Sequence, residues 1–193
     1  ASGTAGQIIV TNNTITENSA TYFGGGGCFY GSTGVVINVY NNIIRGNTAA
    51  SDGDDIYLGV LGTKNGYNNN YHEMSGTWTS SGGNIDLDPR FVGGGNYRLQ
   101  SASPCIDTGN NSAPSLPSTD IEGNNRILDG NNDSTATVDM GAYEHPYTAP
   151  PLSVLYASFP GAGIWKWDSS AWTQTTPNTP QQIVNSVTNL YGR

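Results

Sequence analysis

Two stretches near the start of the chain decide the fold. Residues 8–20 read IIVTNNTITENSA, and residues 37–49 read INVYNNIIRGNTA. At an offset of 29 residues, seven of the thirteen positions are identical. The identical pairs are Ile8/Ile37, Val10/Val39, Asn12/Asn41, Asn13/Asn42, Ile15/Ile44, Asn18/Asn47 and Ala20/Ala49. A fixed register of this kind indicates an internal repeat.

Each repeat consists of short apolar segments broken by Asn and Gly, so it cannot bury an apolar face alone. Stacking one repeat on the next solves this problem, with Val10 lying over Val39 and backbone hydrogen bonds joining the two. Asn side chains at equivalent turns can then bond to one another as ladders, and the predicted ladder pairs are Asn12/Asn41 and Asn18/Asn47. A sandwich of ordinary hairpins is the alternative, but it does not explain the 29-residue register.

The composition excludes several classes of protein. Glycine contributes 26 residues, and Asn, Ser and Thr are also abundant, which argues against a helical bundle. No apolar run is long enough for a membrane span. A net charge of −8 with only seven Lys and Arg residues argues against nucleic-acid binding. The sequence predicts an acidic, mostly β protein.

The segments NNTITENSA, GGGGCFYG and NNIIRGNTA resemble coils of the right-handed parallel β-helix, the pectin-lyase-like fold. Residues 84–144 resemble the closing segment of bacterial secreted β-helix surface proteins of the variable C-terminal anchor type. The matching motifs are D-P-x-F-V at 88–92, Y-x-L at 97–99, S-P-C-I-D-x-G at 103–109, D-x-x-G-x-x-R at 120–126 and V-D-x-G-A-Y-E at 138–144. The resemblance covers residues 1–147 and implies an all-β fold, a short right-handed parallel β-helix (solenoid), in a secreted or cell-surface setting.

Proteins of this kind carry more coils upstream than the roughly three that this chain contains. A first coil without a cap exposes open backbone groups and apolar side chains. Either the chain is part of a longer protein, or a partner covers the open end. The partner that we expect is a second copy of the chain, through the open β-helix end or the tail, and head-to-tail contacts of this kind form filaments.

The composition changes after residue 147. Residues 148–153 are predicted to be a Pro-rich linker, and residues 154–193 a small Trp-rich β module. Alternation in 164–167 and 171–173 predicts two short strands, and the pattern resembles a single blade of the W-K-W-D repeats of propeller-like domains. The candidate sugar-binding residues are Trp165, Trp167 and Trp172; the alternative is that these rings form a core.

One acidic loop has the spacing of a calcium site. Asp129, Asn131 and Asp133 offer oxygens at alternate positions, and Asp139 is a candidate for the ligand that closes the loop. A solvated polar turn is the alternative. A second, less regular acidic loop contains Asp52, Asp54 and Asp55.

No residue is assigned a catalytic role. The run of four glycines at 24–27 has neither the Lys nor the helix pattern of a phosphate-binding loop, and no G-x-S-x-G motif is present. Asp86 and Asp88 are carboxylates on one strand face, but only Arg45 and Arg90 are basic residues that can accompany them.

The favoured function is therefore non-catalytic: an extracellular or cell-surface β-helix segment with a structural, assembly or adhesion role. The first competing function is the C-terminal part of a polysaccharide lyase or glycoside hydrolase. The second is a carbohydrate-binding module that uses the Trp-rich tail, with a polysaccharide as the partner. Whether Cys28 and Cys105 form a disulfide stays open.

Overall fold

The computed structural model describes residues 6–30, 32–59 and 61–147, together with three strands at 155–159, 163–167 and 172–174. The chain divides into two compact units, residues 1–147 and residues 148–193. The described residues contain strands, turns and bends but no helix, and therefore no helix that could cross a membrane. The predicted linker at 148–153 lies outside the described residues.

The first unit is organised around a four-stranded parallel sheet. Its strands, in spatial order, are β1 (Gln7–Thr11), β5 (Val36–Tyr40), β9 (Thr63–Tyr67) and β12 (Ser80–Gly82). Ile8 pairs with Ile37 and Val10 with Val39, which is the 29-residue register expected from the repeat.

Three smaller parallel sheets are formed by shorter strands, which lie side by side in the same sequence order as the strands of the large sheet. One consists of β2 (Thr14–Ile15), β6 (Ile43–Ile44) and β10 (Asn70–Tyr71); another of β4 (Gly27–Phe29), β8 (Ile56–Leu58) and β11 (Met74–Ser75); the last of β3 (Ser19–Ala20) and β7 (Thr48–Ala49). Residues 7–29, 36–58 and 63–75 are called repeats 1, 2 and 3 below. The all-β class and the parallel pairing of the repeats are confirmed, and both are compatible with a parallel β-helix.

A core of aliphatic side chains runs between these sheets. Its fully or almost fully buried members are Ile37, Val39, Ile44, Ile56 and Leu58. All five belong to repeat 2, which has a neighbouring repeat on each side.

The aliphatic core ends at repeat 3, because the positions that carry Ile37 and Val39 in repeat 2 carry other types of residue there. The partners of Ile37 and Val39 in β9 are Lys64 and Gly66. The indole ring of Trp78 lies against Gly66, where a Cβ atom would come within 2.4 Å of the ring. Lys64 is buried and donates its ammonium group to the carbonyl oxygen of Gly59 at 2.7 Å. This end of the core is therefore sealed by an aromatic ring and a satisfied amine.

Asparagine ladders run along the repeats. Asn41 donates to the side-chain oxygen of Asn12, and Asn18 donates to that of Asn47, so both predicted pairs are confirmed. The longest ladder was not predicted, and it passes through Asn13, Asn42, Asn69 and Asn84. In this ladder each residue donates both its backbone N–H and its Nδ2 group to the Oδ1 atom of the next.

A second row of asparagines turns the corner between the long strands and the short ones. Asn12, Asn41 and Asn68 have φ values of 57°, 56° and 53°, a left-handed conformation that Asn tolerates better than most residues. Asn12 donates to the carbonyl oxygen of Asp139, and Asn68 donates to that of Thr108. This corner row holds residues of the C-terminal part of the first unit.

The closing segment, residues 84–147, consists mainly of turns. It contains two antiparallel pairs, β13 (Phe91–Gly93) with β14 (Asn96–Leu99), and β15 (Ile127–Leu128) with β16 (Thr137–Val138). It packs on the repeats through a second core of Ile43, Leu99, Cys105, Ile106 and Met140, of which Ile43 belongs to repeat 2. Cys105 is buried in this core as a free thiol and Cys28 is an exposed free thiol, so the two form no disulfide.

The described part of the second unit is one antiparallel sheet in the order β17 (Leu155–Phe159), β18 (Gly163–Trp167) and β19 (Trp172–Gln174). The two strands predicted around residues 164–173 correspond to β18 and β19. The sequence did not single out β17 as a strand.

The corner row generates a prediction for Asn41. Replacing Asn41 with Ala removes the hydrogen bonds to Asn12 and Asn110. It also places an alanine in the left-handed backbone conformation, which Ala tolerates less well than Asn. We expect a loss of about 2 kcal/mol in unfolding free energy, and a smaller loss for Asn41→Gly, which removes the backbone strain.

The matched control for this substitution is Asn132→Ala, since Asn132 has a φ of 63° but is exposed. Urea unfolding followed by circular dichroism measures all three variants. Equal losses for Asn41→Ala and Asn132→Ala would show that the buried bonds of Asn41 contribute nothing beyond the backbone conformation.

Candidate functional site

The loop predicted to bind calcium is a compact turn closed by its own side chains. The carboxylate of Asp129 accepts the backbone N–H groups of Asp133 and Ser134. Asn131 Oδ1 accepts the same N–H of Asp133 at 2.9 Å. Asp133 in turn accepts the N–H of Thr135. This bonding pattern is that of successive Asx turns.

Asp139 lies inside the protein instead of closing this loop. It is 1 % exposed, and its two carboxylate oxygens accept the backbone N–H groups of Asp107 at 2.8 Å and His145 at 2.7 Å. The carboxylate that reaches the loop is Asp107, which accepts the N–H groups of Gly130 and Asn131. The sequence did not single out Asp107. No group of three or more His, Cys, Asp or Glu side chains within the described residues is arranged to hold a metal ion.

The second acidic loop has a structural role. Asp54 accepts the N–H of Ala49, and Asp55 accepts the side-chain amide of Asn47 and the backbone N–H of His72. Asp55 therefore continues the ladder that begins with Asn18 and Asn47. Asp52 accepts the hydroxyl of Ser75 at 2.6 Å.

The closing segment contains two buried carboxylates, Glu144 and Asp139, and one buried cation, Arg126, which pairs with Glu144. The guanidinium of Arg126 lies 3.1 Å from Glu144 Oε1, and both side chains are almost fully buried. Glu144 also accepts the backbone N–H of Asp139, which brings the second carboxylate close. Burial raises the pKa of Asp139 to about 7. Burial and the charge of Asp139 raise the pKa of Glu144 to about 8.

Asp120 completes this network from a different position. It accepts the backbone N–H groups of Glu144, Asn124 and Glu122. Partial burial acts to raise its pKa, but these hydrogen bonds outweigh the burial and lower the pKa below its ordinary value. The charged residues of the two last closing motifs thus hold the segment together, and their geometry is that of a structural network.

The exposed surface carries a different cluster, formed by Arg45, His72 and Asp86. Arg45 Nη1 lies 2.5 Å from Asp86 Oδ1, and His72 Nδ1 lies 3.1 Å from Asp86 Oδ2. Arg45 and His72 directly follow β6 and β10, so they occupy the same position in successive repeats. Hydrogen bonds from Arg45 and His72 lower the pKa of Asp86.

The sequence identified Asp86 and Arg45 but not their contact, and it did not identify His72. Asp88, the other carboxylate considered, accepts the backbone N–H of Arg90 at 2.9 Å. The Asp86 carboxylate orients the imidazole of His72, which is two thirds exposed. An imidazole held in this way can exchange a proton with a bound group or, together with Arg45, bind an anionic or hydroxyl group.

An aromatic row lies on another exposed face of repeats 1 and 2. The ring of Tyr57 lies 4.6 Å from that of Phe23 and 5.5 Å from that of Tyr30, measured between centroids. Tyr30 is 60 % exposed. Aromatic rings on an exposed face are common at contacts with sugars and with other proteins.

The candidate sugar-binding tryptophans lie in the second unit. Trp165 pairs with Ala157 in β17 and with Gln174 in β19, and its side chain is half-buried. Trp167 and Trp172 pair with each other across β18 and β19. Their side chains lie outside the described part of the chain, so the sugar-binding role of the three residues stays a prediction.

Comparison of the chain with protein-family models, with curated proteins and with solved structures finds no match in any of the three.

The buried carboxylates generate a pH prediction. Glu144 and Asp139 have an ordinary pKa of about 4 in the unfolded chain and about 7 to 8 in the folded protein. Between these values the folded state binds more protons than the unfolded state, so the unfolding free energy falls as the pH rises from about 5 to about 8. Glu144→Gln removes one of the two groups and is expected to make this fall smaller.

The measurement is urea unfolding at several pH values across this window. Glu73→Gln is the matched control, because Glu73 is exposed. The network is contradicted if Glu144→Gln and the parent lose stability with the same slope.

Calcium binding by the loop at 129–133 also stays a prediction. An ion that binds only the folded protein raises its thermal midpoint, and extracellular sites bind calcium at about 0.1–1 mM. We expect a higher midpoint in about 5 mM calcium than in chelator, a concentration several times such dissociation constants. Asp129→Ala combined with Asp133→Ala is expected to abolish the difference. A full shift in the double variant would locate the ion elsewhere, and no shift in the parent would identify the loop as a plain turn.

Proposed function

We propose that this chain is a non-catalytic extracellular or cell-surface segment built on a short right-handed parallel β-helix, with a structural, assembly or adhesion role. The observation that carries the proposal is the in-register parallel pairing of repeats 1, 2 and 3, locked by asparagine ladders. The resemblance of residues 84–144 to the closing segment of secreted surface proteins supports the cell-surface setting.

The distribution of polar groups also supports a structural role. Most charged side chains in and near the closing segment satisfy backbone N–H groups or one another, as Asp55, Asp120 and Asp139 do. Groups used in this way support the fold and are not free to act on a substrate. The net charge of −8 suits a segment that remains dispersed in an aqueous environment.

The cluster of Arg45, His72 and Asp86 favours a second candidate function, action on a polysaccharide as part of a lyase or hydrolase. It contains a carboxylate, an oriented imidazole and a guanidinium on one exposed face. Its weakness is the open surface around it, because general acid–base catalysis benefits from a site that positions the substrate and excludes water.

One experiment separates the two functions. Antibodies raised against residues 6–147 are applied to intact and to permeabilised cells that make the protein, and the purified chain is incubated with neutral and acidic polysaccharides. We expect labelling of intact cells and no release of new reducing ends or unsaturated products. Labelling only after permeabilisation would contradict the surface role.

Product release would instead support the enzymatic function. Two variants then test whether the cluster of Arg45, His72 and Asp86 is the source of that activity. Asp86→Asn removes the charge that holds Arg45 and His72, whereas Asp88→Asn alters a nearby carboxylate that accepts the backbone N–H of Arg90. Loss of product with the first variant and not with the second would assign the activity to the cluster.

A further inference from the structure

Two pairs of tyrosine rings lie in contact within the described part of the first unit. The rings of Tyr40 and Tyr67 stack with 5.3 Å between their centroids, and those of Tyr30 and Tyr57 lie 5.5 Å apart. Adjacent phenols have a chemistry beyond packing, because one-electron oxidation of both rings joins them through a carbon–carbon bond. The geometry of each pair decides whether its rings are placed for this reaction.

The pair formed by Tyr40 and Tyr67 has the more regular geometry. The two residues are register partners in the parallel pairing of β5 with β9. Ile37 and Val39 of β5 belong to the buried core, so the alternation of the strand turns Tyr40 to the outer face of the large sheet. Both tyrosines are half-buried there, within reach of small oxidants in the solvent.

The strand register determines which ring atoms of Tyr40 and Tyr67 face each other. Paired strands lie about 4.8 Å apart, and the ring separation of 5.3 Å is close to this spacing. The ring planes differ by only 27°. Two nearly parallel rings displaced by one strand spacing place equivalent carbons opposite each other, including the Cε carbons beside the hydroxyl groups. A small rotation of either ring brings these carbons into bonding contact.

Tyr67 also has a route for its phenolic proton. Its hydroxyl is hydrogen-bonded to the hydroxyl of Ser80, an exposed residue of the edge strand β12. Oxidation of a phenol releases the hydroxyl proton, and a hydrogen-bonded oxygen beside the solvent can accept it and pass it to water.

The pair formed by Tyr30 and Tyr57 is a poorer site, although its centroid distance is similar. The ring of Tyr30 lies over Gly59 instead of opposite Tyr57, and the two ring planes differ by 44°. The register partner of Tyr57 is Cys28, an exposed free thiol. A thiol beside a phenoxyl radical returns a hydrogen atom to it, so Cys28 competes with coupling at this pair.

We propose that Tyr40 and Tyr67 are the site of an oxidative modification, a dityrosine bond formed by hydrogen peroxide and a haem peroxidase. Each phenol loses one electron and its hydroxyl proton, and the two radicals form one bond between their Cε carbons. The hydrogen on each bonded carbon then moves to the phenolic oxygen, which restores both hydroxyl groups. The two electrons and two protons reduce one molecule of hydrogen peroxide to two molecules of water.

The dityrosine bond links repeat 2 to repeat 3 and closes a loop between residues that are 27 positions apart. A cross-link of this kind stabilises the folded state by restricting the unfolded chain. The site requires only the pairing of β5 with β9. It does not depend on the surface role, which the cell-labelling experiment tests separately.

The test treats the purified chain, at low concentration, with a haem peroxidase and limiting hydrogen peroxide, followed by a reductant that opens any disulfide of Cys28. We expect dityrosine fluorescence in the monomeric fraction from size-exclusion chromatography. Mass spectrometry of a digest is expected to find the peptides of Tyr40 and Tyr67 joined with the loss of two hydrogen atoms. The thermal midpoint of the linked monomer is expected to rise by about 5 °C.

Two variants and one condition serve as controls. Tyr40→Phe keeps the stacked ring but removes the phenol, so it is expected to abolish the link. Tyr22→Phe is the matched control, because Tyr22 is 70 % exposed but contacts no other aromatic ring among the described residues. It is expected to leave the yield of the link unchanged. Oxidation of the parent chain in urea is expected to lose the link, because the strand register is then absent.

Three results would overturn the proposal, each in a reaction that couples free tyrosine. The first is a monomer without dityrosine, with the product confined to dimers and larger species. The second is a monomer whose link maps to Tyr30 and Tyr57 and not to Tyr40 and Tyr67. The third is an equal yield of the Tyr40–Tyr67 link in urea, because the fold would then not be positioning the rings.

Discussion

The fold depends on hydrogen bonds from asparagine side chains, which replace backbone pairing at the corners between strands. Strands of two or three residues, such as β6 and β8, form too few ladder bonds to fix the path of the chain by themselves. At these corners the side-chain oxygen of one Asn accepts both the backbone N–H and the amide of the Asn in the preceding repeat, as Asn69 does from Asn42. The backbone N–H groups at these corners are buried and have no partner in a strand, so the Asn side chains supply the hydrogen bonds that they need.

The corner row extends this principle from the repeats to the closing segment. Asn41 bonds Asn110 through both its amide nitrogen and its oxygen, which is the pairing a β-bridge would provide. Asn12 and Asn68 hold the same segment on either side. A segment composed mostly of turns is thereby attached at regular intervals, and its apolar residues need only cover Ile43.

The sequence predicted the parts of the structure that repeat regularly. The pairing of β1 with β5 and the bonds between Asn12 and Asn41 follow from the 29-residue offset. The ladder beyond Asn42 was missed because the spacing shortens to 27 residues at Asn69 and to 15 at Asn84.

The sequence pattern could not predict contacts between residues whose spacing does not follow the repeat. Arg45 meets Asp86 over 41 residues, and no periodicity links the two. Asp139 was predicted to close the acidic loop from its position ten residues after Asp129, and this position is equally compatible with a buried residue, because sequence spacing carries no information on burial. The Asp139 carboxylate is in fact buried and accepts the backbone N–H of His145.

The seal formed by Lys64, Gly66 and Trp78 makes repeat 3 different from the repeats before it, which carry aliphatic residues at the same inward positions. A duplication of one 29-residue unit before repeat 3 inserts inward aliphatic residues among others of the same kind. A duplication of repeat 3 would instead bury a second lysine and leave a second gap over glycine. A duplicated 29-residue unit therefore fits before repeat 3 without a new buried charge, whereas the seal of Lys64 and Trp78 is suited to one position in the stack.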